Sequence, residues 1–344
     1  VWQTCIQAPL VVASGAIGFS QYLSYLIDMN WLQQKMVSGA LVIIVFILLY
    51  RKIETIGKIS VALWIVVILT VLWIIISGLS HAQHSIQLLP SGGQSFFQYA
   101  FWAAIGQGSV KTVYSYLGYY NVCHLGGEIK SPQKNIPRSM FISIAGIALL
   151  YLLMNVSIMT VISWQEVKPG EKHLASIFME HIYGHTAGVI ITCLILWIAL
   201  ASLFAVVLGY SRIPYAAAVD GNFFPYFSRL HPTKNFPYIS LIFLCSLGFI
   251  FSILFKLEKA IDSILAMRIL VQFIGQSIGL VLLRARIGTK QLPFKMWIYP
   301  VPVIVSISIW LFLFISTGWF ALWGSLIAGA GIFVFFISQE LKKS

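Results

Sequence analysis

Residues 96–139 read FFQYAFWAAIGQGSVKTVYSYLGYYNVCHLGGEIKSPQKNIPRS, and this stretch decides the fold. Its first part, 96–116, is long and apolar enough for most of a bilayer crossing, which takes about 20 residues. Then come Leu117, Gly118, two tyrosines and Asn121. The apolar pattern resumes briefly, meets Gly126, Gly127 and Glu128, and gives way to a basic loop with Pro132 and Pro137. A span interrupted at mid-membrane depth loses backbone hydrogen bonds where lipid offers no replacement. Chains keep such a break where it lines a cavity and the freed N–H and C=O groups hold a substrate or an ion.

Composition agrees with a membrane setting. Of the 344 residues 59% are hydrophobic and only 9% charged, with a mean hydropathy of +0.89. Soluble domains carry roughly 25% charged residues. The fold class is therefore all-α, a polytopic helical bundle forming one domain over 1–344. The net charge of +12 calls for no nucleic acid: no run of five basic residues occurs, and the charges sit in short loops as the positive-inside rule requires. Cys5, Cys123, Cys193 and Cys245 are scattered through apolar stretches without CxxC spacing and read as buried free thiols. The chain opens on Val1 directly in span-like sequence, with no signal-peptide pattern, as the middle of a longer protein would.

Ten spans can be drawn, at 2–27, 35–50, 59–78, the interrupted one, 139–162, 187–210, 239–255, 261–283, 297–315 and 319–337. Alternating the loops puts Arg51, Lys52, Lys58, Lys130, Lys134, Arg138, Arg212, Arg229, Lys234, Arg284, Arg286, Lys290, Lys295, Lys342 and Lys343 on one side. Lys35, Lys168, Lys172, Lys256 and Lys259 fall on the other. Fifteen against five of the 22 basic residues makes the first side cytoplasmic, and both ends of the chain with it. Trp31, Trp164, Trp297, Tyr299, Trp319 and Trp323 near span ends fit an interfacial belt.

Around the break, Gly118 costs about 1 kcal/mol in a helix relative to Ala and leaves room for a ligand to reach backbone. Carbonyls near Tyr116 and Leu117 can accept from an ammonium group, and Tyr114, Ser115 and Tyr119 can add side-chain contacts. The alternative is a glycine at a tight helix crossing with packing tyrosines. Asn121 and Glu128 are gating candidates, Glu128 also a plain helix-end partner of Lys130. Lys111 and Arg268, also gating candidates, lie inside spans, where a charge either faces a water-filled vestibule or snorkels to the headgroups. Lining a path, they would favour neutral or acidic substrates. The third span holds no Lys, Asp or Glu, so no coupling ion can be read from it. His81, His84, His173, His181 and His185 read as polar residues of outer loops. No HExxH, GxSxG, P-loop or GxGxxG occurs, so neither metal, cofactor nor enzymatic chemistry is expected.

Two motifs then resemble a known family. Tyr116-Leu117-Gly118-Tyr119-Tyr120-Asn121, followed by Glu128-Ile129-Lys130-Ser131-Pro132-Gln133-Lys134-Asn135-Ile136-Pro137-Arg138, is similar to the broken sixth helix and following loop of amino-acid permeases in the amino acid–polyamine–organocation superfamily. Arg212 to Pro225, RIPYAAAVDGNFFP, looks like the segment after that family's eighth helix. The L-type and cationic amino-acid transporters are the branch it resembles most. The resemblance implies an inverted-repeat transporter that moves an amino acid through the cell membrane by alternating access, with Tyr114 near an aromatic gate. It maps 1–78 to the remainder of a first repeat, 96–285 to the second, and 296–338 to two additional helices. The family's opening two helices, with their glycine-rich break, have no counterpart here. Rival readings are a polyamine or organocation permease, and a non-transporting receptor or remnant on the same helices. An accessory subunit is left open.

Overall fold

The structure, a computed structural model, describes residues 2–51, 53–85, 98–124, 126–163, 165–167, 171, 173–288, 296 and 298–341. Among these every regular element is helical: α1 (Trp2–Leu23), α2 (Trp31–Leu49), α3 (Ile53–Ser80), α4 (Tyr99–Tyr116), α5 (Asn121–His124), α6 (Pro132–Met159), α7 (Leu174–Tyr183), α8 (His185–Tyr210), α9 (Arg212–Val219), α10 (Tyr238–Leu254), α11 (Leu257–Arg268), α12 (Gly275–Ile287), α13 (Val301–Ser316) and α14 (Trp319–Leu341). Single 3-10 turns occupy Gly126–Glu128 and Pro225–Ser228, and a π-helical turn, Ile269–Ile274, joins α11 to α12. Helices are the expected outcome, because a lone helix satisfies its own backbone in hydrocarbon.

Each of the ten apolar stretches carries a helix. By length and apolarity, four segments qualify as crossings among the described residues: Trp31–Leu49, Gly57–Ser80, Pro132–Met159 and His185–Val219. α13 and α14 form a pair bent by 113°. The rest fall short for visible reasons. α1 and α4 are long enough but carry polar side chains along their length, Gln3, Gln7 and Gln21 in the first and Gln107 and Lys111 in the second; the eighth stretch is split by the π turn, and α10 is a 17-residue apolar helix.

Several boundaries depart from the sequence reading. α2 starts at Trp31 rather than Lys35, because Asn30 and Gln33 close a capping box with both bonds at 2.9 Å. The basic loop expected up to Arg138 is helix from Pro132, where proline at the first helical position leaves no amide orphaned. The outer loop expected around His173 to His185 holds α7. Cys123 and Cys193 are exposed and Cys5 half-buried; of the four cysteines only Cys245 is buried as expected. An apolar stretch in a bilayer can turn a thiol to lipid as readily as inward. Trp164, Trp297, Lys52, Lys168, Lys172, Lys290, Lys295, Lys342 and Lys343 lie outside the described residues.

The chain forms two compact units. One holds residues to Gln7, α4, and the chain from Glu258 onward; the other holds the rest of α1, α2, α3 and Gly118–Leu257. The second contains two apolar cores. Val12, Val42, Val45, Leu203, Phe204, Val207, Leu241 and Leu244 join α1, α2, α8 and α10. Ile74, Val161, Phe178, Met179 and Ile191 join α3, α7 and α8. Close backbone approach does what burial cannot do in lipid. A Cβ on Gly78 would lie 2.5 Å from the Ser157 carbonyl oxygen, and one on Gly248 2.6 Å from Val12 Cγ1. Ser157 Oγ donates to Ile75 O at 3.1 Å across the α3–α6 crossing. The α2–α10 pair is capped by lysines at opposite ends. Lys35 Nζ donates to Ser252 O at 3.0 Å and to Phe255 O, closing the end of α10. Lys234 Nζ donates to Tyr50 O at 2.9 Å and sits 4.4 Å from the Tyr50 ring centroid, closing the end of α2.

In the first unit, Gly106 of α4 leaves room for the Ser316 hydroxyl where a Cβ would clash with it, and Trp102 meets Phe312 edge-on. Trp2 Nε1 donates to Ile327 O at 3.2 Å, and Phe273 stacks on Trp310 at 4.2 Å.

Candidate functional site

α4 ends where the sequence loses its apolar character. Leu117, its C-terminal cap, is extended at φ −67°, ψ 143°, and its N–H reaches only back to Tyr114 O, three residues away, at 3.3 Å. Gly118 follows with φ +123°, a conformation open to glycine and strained for any L side chain. The chain re-enters helix at Asn121, whose N–H donates to Gly118 O at 2.9 Å, and Cys123 N–H does the same to Tyr120 O. The ladder of i to i−4 bonds is thus replaced over residues 117–121 by shorter turns. A helix that stops leaves its last turn of carbonyls, and one that starts leaves its first turn of amides, without intrahelical partners.

The chain passes from one unit to the other between Leu117 and Gly118. On the α4 side, Tyr114, Tyr116 and Leu117 are half-buried and Ser115 is exposed. On the other side, Gly118 and Tyr119 are half-buried, Tyr120 is buried, and the two tyrosine rings meet at 5.1 Å and 72°. Asn121 Oδ1 is buried with no hydrogen-bond partner among the described residues. Its side chain lies against Gly209 of α8, where a Cβ would stand 3.6 Å from Asn121 Cβ. A buried amide oxygen left unsatisfied costs about 1–3 kcal/mol. Sequence reading placed Asn121 only among gating candidates and passed over Tyr120 and Gly209. The glycine gave no signal because its partner is 88 residues away in sequence.

The other candidates separate. Lys111 is exposed on α4. Arg268 does not snorkel. It is 2% exposed at the junction of α11 with the π turn. With the Gln7 amide turned so that its oxygen faces the guanidinium, that oxygen accepts from Arg268 Nε at 2.5 Å and Nη2 at 3.0 Å. A buried side-chain amide so close supplies what headgroups would otherwise have to supply. Glu128 belongs to the 3-10 turn Gly126–Glu128, and its side chain lies outside the described residues. No group of three or more metal-ligating side chains occurs among the described residues.

Away from the break, α7 is tied to the end of α1 by polar contacts. The Tyr25 hydroxyl donates to Glu180 Oε2, His185 Nδ1 lies 3.3 Å from Glu180 Oε1, and His173 Nε2 lies 2.9 Å from Gln21 O. Hydrogen bonding from Tyr25, then His185, holds the Glu180 carboxyl below its ordinary range.

Comparison with known proteins follows the same lines. A family model described as amino acid permease matches residues 1–339. An uncharacterized amino acid permease, YecA, of Bacillus subtilis is 27% identical over 67% of this chain and 52% of its own length. The serine/threonine exchanger SteT of that organism is 23% identical over 59% of the chain and 47% of its length. Its branched-chain amino acid permease BcaP is 23% identical over 86% and 62%. The chain thus spans about half the length of the first two relatives. With an all-helical architecture, an interrupted apolar helix and a match over nearly every residue, this multi-pass membrane chain belongs to the amino acid permease family.

Proposed function

We propose that the full protein carries an amino acid across the cell membrane by alternating access, with residues 114–119 as the substrate-contacting stretch and both ends of this chain cytoplasmic. The observation that carries this reading is the break itself: α4 stopping at Tyr116, Gly118 at φ +123°, and the unsatisfied Asn121 Oδ1 beyond it. Carbonyls at the end of α4 suit an ammonium group. The Ser115 and tyrosine side chains suit the polar remainder of a small zwitterion. The names of the bacterial relatives support neutral amino acids, with serine, threonine and branched-chain side chains first to be tried. Alternating access requires the substrate to bind the outward and inward states unequally along the cycle; equal affinity shifts no population.

The test is exchange in liposomes containing the full-length protein, loaded with unlabelled amino acid and supplied with labelled amino acids and a polyamine. Saturable uptake of a neutral amino acid that depends on internal substrate is the expected result. Uptake of the polyamine instead would replace the substrate class. Saturable binding with no translocation would replace transport by a receptor role.

A further inference from the structure

The segment after α9 carries an apolar surface that no spanning helix accounts for. α9 ends in a Schellman turn: Gly221 N–H donates to Ala218 O at 3.1 Å, Asn222 N–H to Ala217 O at 2.8 Å, and Gly221 has φ +72°. The chain then runs back through an aromatic ladder. Phe223 packs on Phe227 at 4.9 Å, and Phe227 meets Phe243 of α10 edge-on at 5.4 Å. With those rings facing the protein, Phe224 and Tyr226 are 67% and 56% exposed, and Leu230 is exposed as well. Arg229 lies over the Tyr226 ring at 4.9 Å.

α10 supplies a depth scale. It is 17 residues long. That makes it about 25 Å against roughly 30 Å of bilayer hydrocarbon, so a crossing built on α10 uses its whole length. Phe243 lies about 8 Å along α10 from Tyr238 at 1.5 Å per residue. A ring in contact with Phe243 is therefore at or below the headgroup boundary. Phe224 and Tyr226 flank that contact within the same short stretch, 223–227. Their composition, two aromatics with a cation stacked on one of them, is that of an interfacial anchor: rings at headgroup depth and a guanidinium reaching phosphate. Asp220, the acidic residue of the segment, lies before the turn.

We infer that residues 219–230 form a membrane-surface anchor, in which Phe224 and Tyr226 insert among lipid headgroups on the basic side of the bilayer and Arg229 binds lipid phosphate. The occupant is the lipid surface rather than a protein partner, because the Phe227–Phe243 contact holds the segment against an apolar helix of the bundle. The inference goes beyond transport and stands on the membrane placement of α10 alone.

The test places a photoreactive benzoylphenylalanine at Phe224 or Tyr226 of the full-length protein in vesicles mixing zwitterionic and anionic phospholipids. Ile250, exposed on the body of α10, is the internal standard. Lipid adducts at both positions, in yields comparable to Ile250, are expected. In the Arg229→Gln background the excess of anionic over zwitterionic adducts should fall by about fivefold, the effect of one basic residue near a charged surface. Background labelling at 224 and 226 while Ile250 labels normally, or cross-links to protein only, would overturn the inference.

Discussion

Replacing Gly118 by alanine isolates the backbone of the break from its surroundings. Among the described residues a Cβ there meets only Asn121 Nδ2 at 3.7 Å, an ordinary contact, so steric crowding by neighbours contributes little. What changes is the cost of φ +123°, tolerable for glycine and strained for alanine. Residues held in such sparsely populated regions cost about 1–3 kcal/mol each. If the bound substrate needs this conformation, the competent fraction falls and the apparent dissociation constant rises in proportion, by roughly fivefold to a hundredfold. Gly108 is the matched control. It lies within α4 with nothing within 4 Å of its Cβ position, so Gly108→Ala should leave binding unchanged and stabilise the helix by up to about 1 kcal/mol. The assay is equilibrium binding of labelled amino acid to the purified full-length protein, with elution profile as the check on folding. A well-folded Gly118→Ala protein that binds as tightly as the unsubstituted one would refute the claim that this backbone conformation builds the site.

Other substitutions test the frame. Gly78→Leu drives a side chain into the Ser157 carbonyl at the α3–α6 crossing and should abolish the monodisperse protein, whereas Gly57→Ala, facing open space on the same helix, should elute normally. Lys234→Met removes a charge-assisted bond to Tyr50 O and a cation over the Tyr50 ring, and should lower stability by about 1–3 kcal/mol in a thermal melt. Glu180 has its carboxyl depressed in the folded state, so its contribution is present above the unfolded carboxylate range and is lost as pH falls through the folded value. Tyr25→Phe should therefore flatten the acid limb of the stability profile; an unchanged limb counts against the Tyr25–Glu180 bond. Asn121→Ala removes the buried orphan acceptor and should weaken substrate binding without loss of fold; intact affinity would remove Asn121 from the site.

The break was legible because Gly118 and its polar neighbours contradict a continuous apolar helix within a few residues of one another. Helix positions were legible for the same local reason. Arg268 was not, since its fate depends on Gln7, far away in sequence, and on a π turn with no compositional mark. α7 was hidden because a short amphipathic helix in a loop between longer helices lacks the length that announces a span. Pro132 and Pro137 suggested a loop, yet the first serves as a helix start and the second sits inside α6. Asn121 needed Gly209 to reveal its burial.

The two lysine caps on α2 and α10 constrain how these helices can travel. Shifting one helix along the other by a single turn, about 5.4 Å, would break the Lys35 and Lys234 bonds together. Tilting or rotating the pair as a whole breaks neither. Pinned at both extremities, α2 and α10 behave as one strut: they can swing, but they cannot slide.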